Sequence, residues 1–412
     1  MHMEMTSRER IMAAIDHREP ERVPVDLGAS TVTGISAMAY NKLKQSLGVD
    51  TPTRVFDVVQ QLAVVDPGVT DLVGSDAVDL NTVTLEDSGW YPVTLADGSE
   101  ALYPDWFRPE KATDGSYYVK DHRGRVMSRM AAGGSCFDQT LFPWEEGYPD
   151  DLSDIGEAFR SINWIAHSHN KFIDIDDAEL RRRVVELRRN SSRAIVMSGG
   201  AKLLELGFFL RRMDNLLMDL LADHQNLTRM LDRLMELHLA GLERKVGTLG
   251  DLVDVIRFGD DLGMTTGPFM DLEVFRKFFK PRYRELCDYV KQHSEMKIFL
   301  HSCGSIRQFI PDLIEAGFDI LNPVQTNCFG MDPVELKNEF GREITFWGGG
   351  VDTSSVLPTG SPGEVRRDVL NRCEILSRGG GFVFAPIHNI LPEVPAENVI
   401  AAYAAVKEFN GE

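Results

Sequence analysis

The chain has 412 residues, 43% of them hydrophobic, enough to bury a large core, and its 63 acidic and 44 basic side chains give a formal net charge of −19. That balance argues against nucleic acid as a partner, because phosphate binding needs clustered Lys and Arg. No run of about 18 apolar residues is present to span a membrane, and five scattered cysteines suit reduced thiols in a cytoplasm rather than a disulfide frame.

Short apolar runs recur along the chain: "RVPVDLG" from Arg22, "DAVDL" from Asp76, "RAIVMSGG" from Arg193 and "VDVIRFGDD" from Val253. Four more follow, "KIFLHSC" from Lys297, "DILNPVQ" from Asp319, "ITFWGGG" from Ile344 and "GFVFAPIH" from Gly381. Most are rich in Val, Ile and Phe and end in Gly, Pro or polar residues, as buried parallel strands do. Between the later runs, apolar residues recur at helical spacing: Leu227, Met230, Leu231 and Leu234, then Phe275, Phe278, Phe279, Leu286 and Val290, then Val365, Val369, Cys373 and Leu376. Ser361-Pro362-Gly363-Glu364 is a capping box with Pro at the first helical position, and Asp332-Pro333 repeats that start signal. The basic runs "LRRRVVELRRN" and "FRKFFKPRYR" also alternate with apolar residues and read as solvated helix faces.

Eight strands alternating with helices predict an α/β fold, a (β/α)8 TIM barrel forming one domain over residues 1–412. A doubly wound sheet is the structural rival, but no Gly-rich fingerprint follows the first strand. The gap from Asn81 to Arg193 interrupts the rhythm with "GWYPVTLADGSEALYPDWF" and "DGSYYVKDHRGRVM", strand-like stretches around Asp-Gly and Arg-Gly turns. They predict a β-rich insertion between the second and third barrel strands, roughly residues 86–145.

In such a barrel, chemistry sits at the C-terminal ends of the strands. Those ends carry Asp260 and Asp261, His301 and Cys303, Gln325 and Cys328, Gly348 to Gly350, and His388. His301 and Cys303 are two residues apart, so an extended chain points both to one face. Zinc accepts imidazole and thiolate together, commonly from three protein ligands. His388, on another strand end, is the best third candidate. The same pair also fits a buried histidine beside a core thiol. Of Asp260 and Asp261, adjacent on a strand end, only one is expected to act as acid, base or substrate anchor. Gly348 and Gly349 offer backbone that a substrate can approach closely. Cys287 and Cys373 read as core residues, whereas Cys136 lies in a loop of the insertion and Cys328 near the mouth.

"FGDDLGMTTGPFM", "HSCGSIRQFIPDLIEAGFDILNPVQ", "FWGGGVDT" and "APIHNILPEVPAENV" together resemble the uroporphyrinogen decarboxylase superfamily, and more narrowly its branch of corrinoid and coenzyme M methyltransferases. The resemblance implies a (β/α)8 barrel and zinc held by an H-x-C pair and a later residue. His301 and Cys303 match the pair, and His388 stands where the methyltransferases have cysteine. His388 also matches a histidine of the metal-free decarboxylases. Gln325 occupies a spacing resembling that of a carboxylate ligand in zinc methionine synthases, which makes it a fourth ligand or a substrate contact. The decarboxylases hold their substrate's carboxylates with arginines after the first strand, where this chain reads "VDLGASTVTG" without one. The expected activity is zinc-dependent transfer of a methyl group between a small-molecule donor, or a corrinoid on a partner protein, and a nucleophile. The rivals are a carboxy-lyase acting on a cyclic or aromatic carboxylate and a non-catalytic binder of tetrapyrrole or corrinoid. A homodimer is compatible with each.

Overall fold

Seven of the eight apolar runs form one parallel sheet, in the chain-ordered sequence Ala77–Asp79, Ala194–Gly200, Val255–Gly259, Lys297–His301, Ile320–Asn322, Thr345–Trp347 and Phe382–Val383. Each strand pairs in parallel with the next, the order that successive strand–helix crossovers produce. The computed structural model describes residues 4–87, 89–169 and 175–412.

The run at Arg22 does not form a strand. It contributes one parallel bridge, Val25 to Phe384, next to the last strand. Pro24 has no N–H to offer a ladder, so the seam is made differently on its two sides. The Phe384 N–H donates to the Pro24 carbonyl and the Asp26 N–H to the Phe384 carbonyl, both at 2.8 Å. On the other side the Asp76 N–H donates to the Val25 carbonyl at 2.7 Å. The Val25 N–H donates to a side chain, Asp76 Oδ2, at 3.0 Å. Asp76 Oδ1 accepts from Arg10 Nη2 at 2.9 Å, with both side chains buried. The curled sheet is thus joined edge to edge through Val25, a TIM-barrel-like closure and not an open doubly wound sheet.

Inward-facing side chains fill the interior. Val196, Val255, Phe299, Ile320, Trp347 and Val383 form one cluster with Ile11, Ala14 and Ile15 of the helix Ser7–Ile15. That helix closes the end where the strands begin: the Gly381 N–H donates to the Ala14 carbonyl, and the Arg8 N–H to the Ser192 carbonyl. The outer helices bury the stripes expected of them, Leu227 to Leu234 in His224–Leu249 and Val365 to Leu376 in Pro362–Leu376, the latter with its capping box formed. Between Asp79 and Ala194 the chain makes an antiparallel pair, Trp90–Thr94 with Glu100–Pro104, and a four-stranded antiparallel sheet from Glu110–Lys111 to Asp138–Gln139. Among the described residues no helix is long and apolar enough to cross a membrane.

The seam generates a test. Asp76→Ala leaves Arg10 with one of its two carboxylate partners, Glu21 at 2.9 Å, and the Val25 N–H without its acceptor, a class of change that costs about 1–3 kcal/mol. Denaturant unfolding should show a loss of that order, whereas Asp16→Ala, which removes a surface partner of Lys297 and Arg18, should cost less, within about 1 kcal/mol.

Candidate metal centre and active site

His301 ends its strand, and Cys303 follows in the loop. His388 lies beyond the last strand, five residues after Val383. One ligand atom from each of the three falls within 4.8 Å of the others. Cys303 Sγ is 3.5 Å from His301 Nε2, and the two imidazole centroids are 5.4 Å apart at an interplanar angle of 62°. A tetrahedral zinc with bonds of about 2.0–2.3 Å places its ligand atoms roughly 3.3–3.8 Å apart, so the Cys303–His301 pair already has the required spacing.

Asn322 fixes which imidazole nitrogen is offered. Its Nδ2 donates to the Trp347 carbonyl at 2.7 Å, and a carbonyl can only accept. Its Oδ1 therefore faces His301 Nδ1, 2.6 Å away, and that nitrogen must carry the proton. Nε2 is left with its lone pair toward Cys303. Burial, reinforced for His301 by the neighbouring His388, lowers the pKa of both histidines and keeps them in the neutral form that binds metals. Burial and the Asp261 charge push the Cys303 thiol up, so it is protonated unless a cation joins it.

Asp261 faces this group. Its Oδ1 accepts from the Cys303 N–H at 2.8 Å and lies 3.7 Å from His301 Nε2. Asp260 does not reach the cavity, which corrects its expected place in the site. It is 0% exposed, and its carboxylate accepts from the N–H groups of Leu203, Leu204 and Glu205 and from the Tyr283 hydroxyl, at 2.6–2.8 Å. It thereby satisfies the open N-terminus of the helix Leu204–Arg211. Burial raises its pKa to about 7, and the four donors keep it from rising further.

Gln325 also lies outside the cluster. Its Oε1 accepts from the Gly304 N–H at 2.8 Å and anchors the loop after Cys303. Gly348 and Gly349 are buried and present no surface to a substrate. Both have positive φ, 103° and 80°. A Cβ on Gly348 would lie 3.1 Å from Asn322 Nδ2, and one on Gly349 would lie 2.9 Å from Val324 Cβ. They hold the strand end close behind Asn322. Cys328 is buried and stands apart from the three ligands, while Cys136 is exposed in its loop.

A cavity of 280 Å3 opens beside the cluster. His301, His388, Asp261, Lys202, Glu205 and Arg257 supply its polar wall. Val32, Val59, Phe137 and Phe209 supply apolar cover. Sequence reasoning missed Arg257, Asn322 and the Lys202–Glu205 ion pair, whose charges are 2.8 Å apart. The first two carried a signal: each is a lone polar residue at an inward-alternating position of an otherwise apolar strand, in "VIRFG" and "ILN".

Residues 206–409 match the family model described as uroporphyrinogen decarboxylase (URO-D). The chain carries a URO-D family domain. His301, Cys303 and His388 lie within the matched stretch, and Lys202, Glu205 and the cavity residues before them lie outside it. A solved methyltransferase from Methanosarcina mazei is similar over 98% of this chain and 99% of its own, with a TM-score of 0.60 and 19% identity, a likeness of fold. No curated protein matches the chain.

The two aspartates should separate in experiment. Asp260→Asn turns an amide donor toward backbone N–H groups that need an acceptor, at a cost of about 1–3 kcal/mol for each group left unpaired. Thermal unfolding should reveal that loss, while Asp261→Asn should stay within about 0.5 kcal/mol of the parent.

Proposed function

We propose that the chain is a zinc-dependent methyltransferase that moves a methyl group between a corrinoid protein or small methyl donor and a nucleophile. The observation that carries this reading is the convergence of ligand atoms of His301, Cys303 and His388 within 4.8 Å of one another, beside a cavity that the two histidines line, with His301 Nε2 turned toward the group by Asn322. Two neutral imidazoles and a thiol suit zinc, and the donor set leaves a fourth position for a ligand. Held by these three residues, zinc would supply Lewis acidity, favouring the thiolate form of an acceptor or polarising a methoxy oxygen.

The remaining tasks fall to the protein itself. Asn322 holds the His301 tautomer. Asp261 fixes the Cys303 backbone and sets a negative charge beside the imidazole. Val32, Val59, Phe137 and Phe209 line the cavity with apolar surface. Methyl transfer is a displacement, so alignment of donor and acceptor in such a space is the main contribution a protein can make. The methyltransferase from Methanosarcina mazei supports the reading at the level of the fold.

The cavity size also bears on the rival chemistry. At 280 Å3 it stands at the lower edge of small-molecule pockets, about 300–1,000 Å3. That suits a small molecule better than a tetrapyrrole, and residues 25–34 bring no arginine to hold a tetrapyrrole's carboxylates.

Protein purified without chelators should contain about one zinc per chain. Metal analysis of His301→Ala and Cys303→Ser should show most of it gone with the fold intact. Asn322→Leu should weaken binding about 10–100-fold, because the tautomer is no longer fixed. Full zinc retention in a His301→Ala/Cys303→Ser double variant would refute the ligand assignment.

Anaerobic assay with uroporphyrinogen should show no conversion at an enzymatic rate. Turnover near 1 s⁻¹, about the low end of typical enzymes, would reverse the ranking of methyl transfer over decarboxylation.

A further inference from the structure

A cavity of 610 Å3, more than twice the volume of the one beside His301, lies outside the barrel wall and shares no lining residue with it. It opens over the strand Ala77–Asp79. Alternation turns Ala77 into the interior cluster and Val78 outward, to this cavity. Two features of the chain leave the space. The helix before the strand, Pro67–Val73, has only seven residues and ends on Gly74 in the left-handed region, at a φ of 76°. After the strand, where a barrel repeat places its next helix, comes the 3₁₀ segment Leu80–Asp87. The cavity occupies the space between Pro67–Val73 and the last turn of the helix Asp177–Asn190.

Contacts on the rim hold these walls apart. Arg193 pairs with Asp71 and donates from Nε to the Ser75 carbonyl at 2.7 Å. Arg54 pairs with Glu86 at 2.6 Å. Arg183 joins the helix Asp177–Asn190 to the 3₁₀ segment, through the Val83 carbonyl at 3.1 Å and Asp87 at 2.6 Å. A Cβ at Gly28 would lie 2.6 Å from Val65 Cγ2, so Val65 is seated against bare backbone. A pocket built this way is preorganised and pays little ordering entropy when it binds.

The lining sets the chemistry of an occupant. Phe56, Val64, Val65, Val78, Leu85 and Leu187 face the cavity, each of them half-buried. Water over such surface is what an apolar body would release. The charges of the lining are already matched. Arg54 with Glu86 and Arg193 with Asp71 form two pairs, and Asp79 turns inward and accepts from Asn81. An ionic ligand would therefore have to break a pair to gain a partner, and its desolvation would go unrepaid. Thr70, Thr82 and Asn190 add neutral hydrogen-bonding groups. The volume falls within the range of small-molecule pockets, about 300–1,000 Å3.

We infer that this cavity is a second binding site, for an uncharged small molecule with a largely apolar body and a few hydrogen-bonding groups. No histidine, cysteine or lysine lines it among the described residues, so an occupant is held and not converted. Zinc at His301 is not required for it.

Nile red, an uncharged dye with a flat apolar body, and the anionic anilinonaphthalene sulfonate make the test, by fluorescence titration of the full chain. Nile red should saturate at about one dye per chain and bind at least about tenfold more tightly than the sulfonate, whose charge finds no free partner. Leu187→Trp and Leu85→Trp each put an indole into the space, and either should weaken Nile red about tenfold or more. Leu221→Ser, at a leucine 71% exposed on the helix Met213–Ala222, should change nothing. If one tryptophan variant does not fold, the other decides, and if neither folds, the stoichiometry and preference of the parent decide. Unsaturable uptake of Nile red, equal or tighter binding of the sulfonate, loss of binding in Leu221→Ser, or undiminished binding in a folded tryptophan variant would overturn the inference. So would sedimentation that shows a parent dimer falling apart in either tryptophan variant, since the cavity would then be a contact between copies of the chain.

Discussion

Asn322 lies between the Trp347 carbonyl, which can only accept, and an imidazole nitrogen, and that position leaves its amide one orientation. From it follow the protonation of His301 Nδ1 and the direction of the Nε2 lone pair. The same contact explains the tight glycine behind it, since a side chain at residue 348 would press on Asn322 Nδ2. Trp347 is itself tied down, its indole N–H donating to Asp26 Oδ2 at 2.9 Å. Asp26 lies beside Val25, where the barrel seam is joined. The seam, the tryptophan, the amide and the imidazole thus form one connected path of hydrogen bonds through the interior. A buried polar path of this kind rigidifies its surroundings only when every member is satisfied.

Much of this was legible in the sequence because parallel strands buried on both faces read as plain apolar runs. All eight runs occupy barrel positions, and Cys303 meets His301 as the two-residue spacing implied. The run at Arg22 was legible as a position but not as a bridge, because Pro24 removes a ladder donor and the Val25 N–H donates to the Asp76 side chain, about fifty residues away, where a strand would offer a carbonyl. The roles of Asp260 and Asp261 could not be divided from the sequence. What separates them is the helix beginning at Leu204, whose free N–H groups claim one carboxylate. Gln325 and the glycines were drawn to the site by their position after a strand, yet contacts set by tertiary packing turned them to other work.

Opposing electrostatic demands meet at the strand ends. The thiol of Cys303 is driven toward its neutral form by burial and by Asp261, whereas the histidines beside it are driven to lose their protons. The group therefore carries little charge of its own. In the same cavity Arg257 brings a positive charge, and Lys202 and Glu205 offset one another.

The cavity is assembled from two kinds of chain. Its wall of Arg257, Asp261, His301 and His388 comes from strands and strand ends inside the stretch that matches the family model, residues 206–409. Its cover comes in part from Phe137 and from Asp138 and Gln139 of the last strand of the antiparallel sheet, outside that stretch. The strands of that sheet hydrogen-bond among themselves and form no part of the barrel ladder. The antiparallel cover therefore takes no part in the strand register that positions His301. A substitution at Phe137 or Gln139 would thus reshape the mouth of the cavity while the strand pairing beneath it stays as it is.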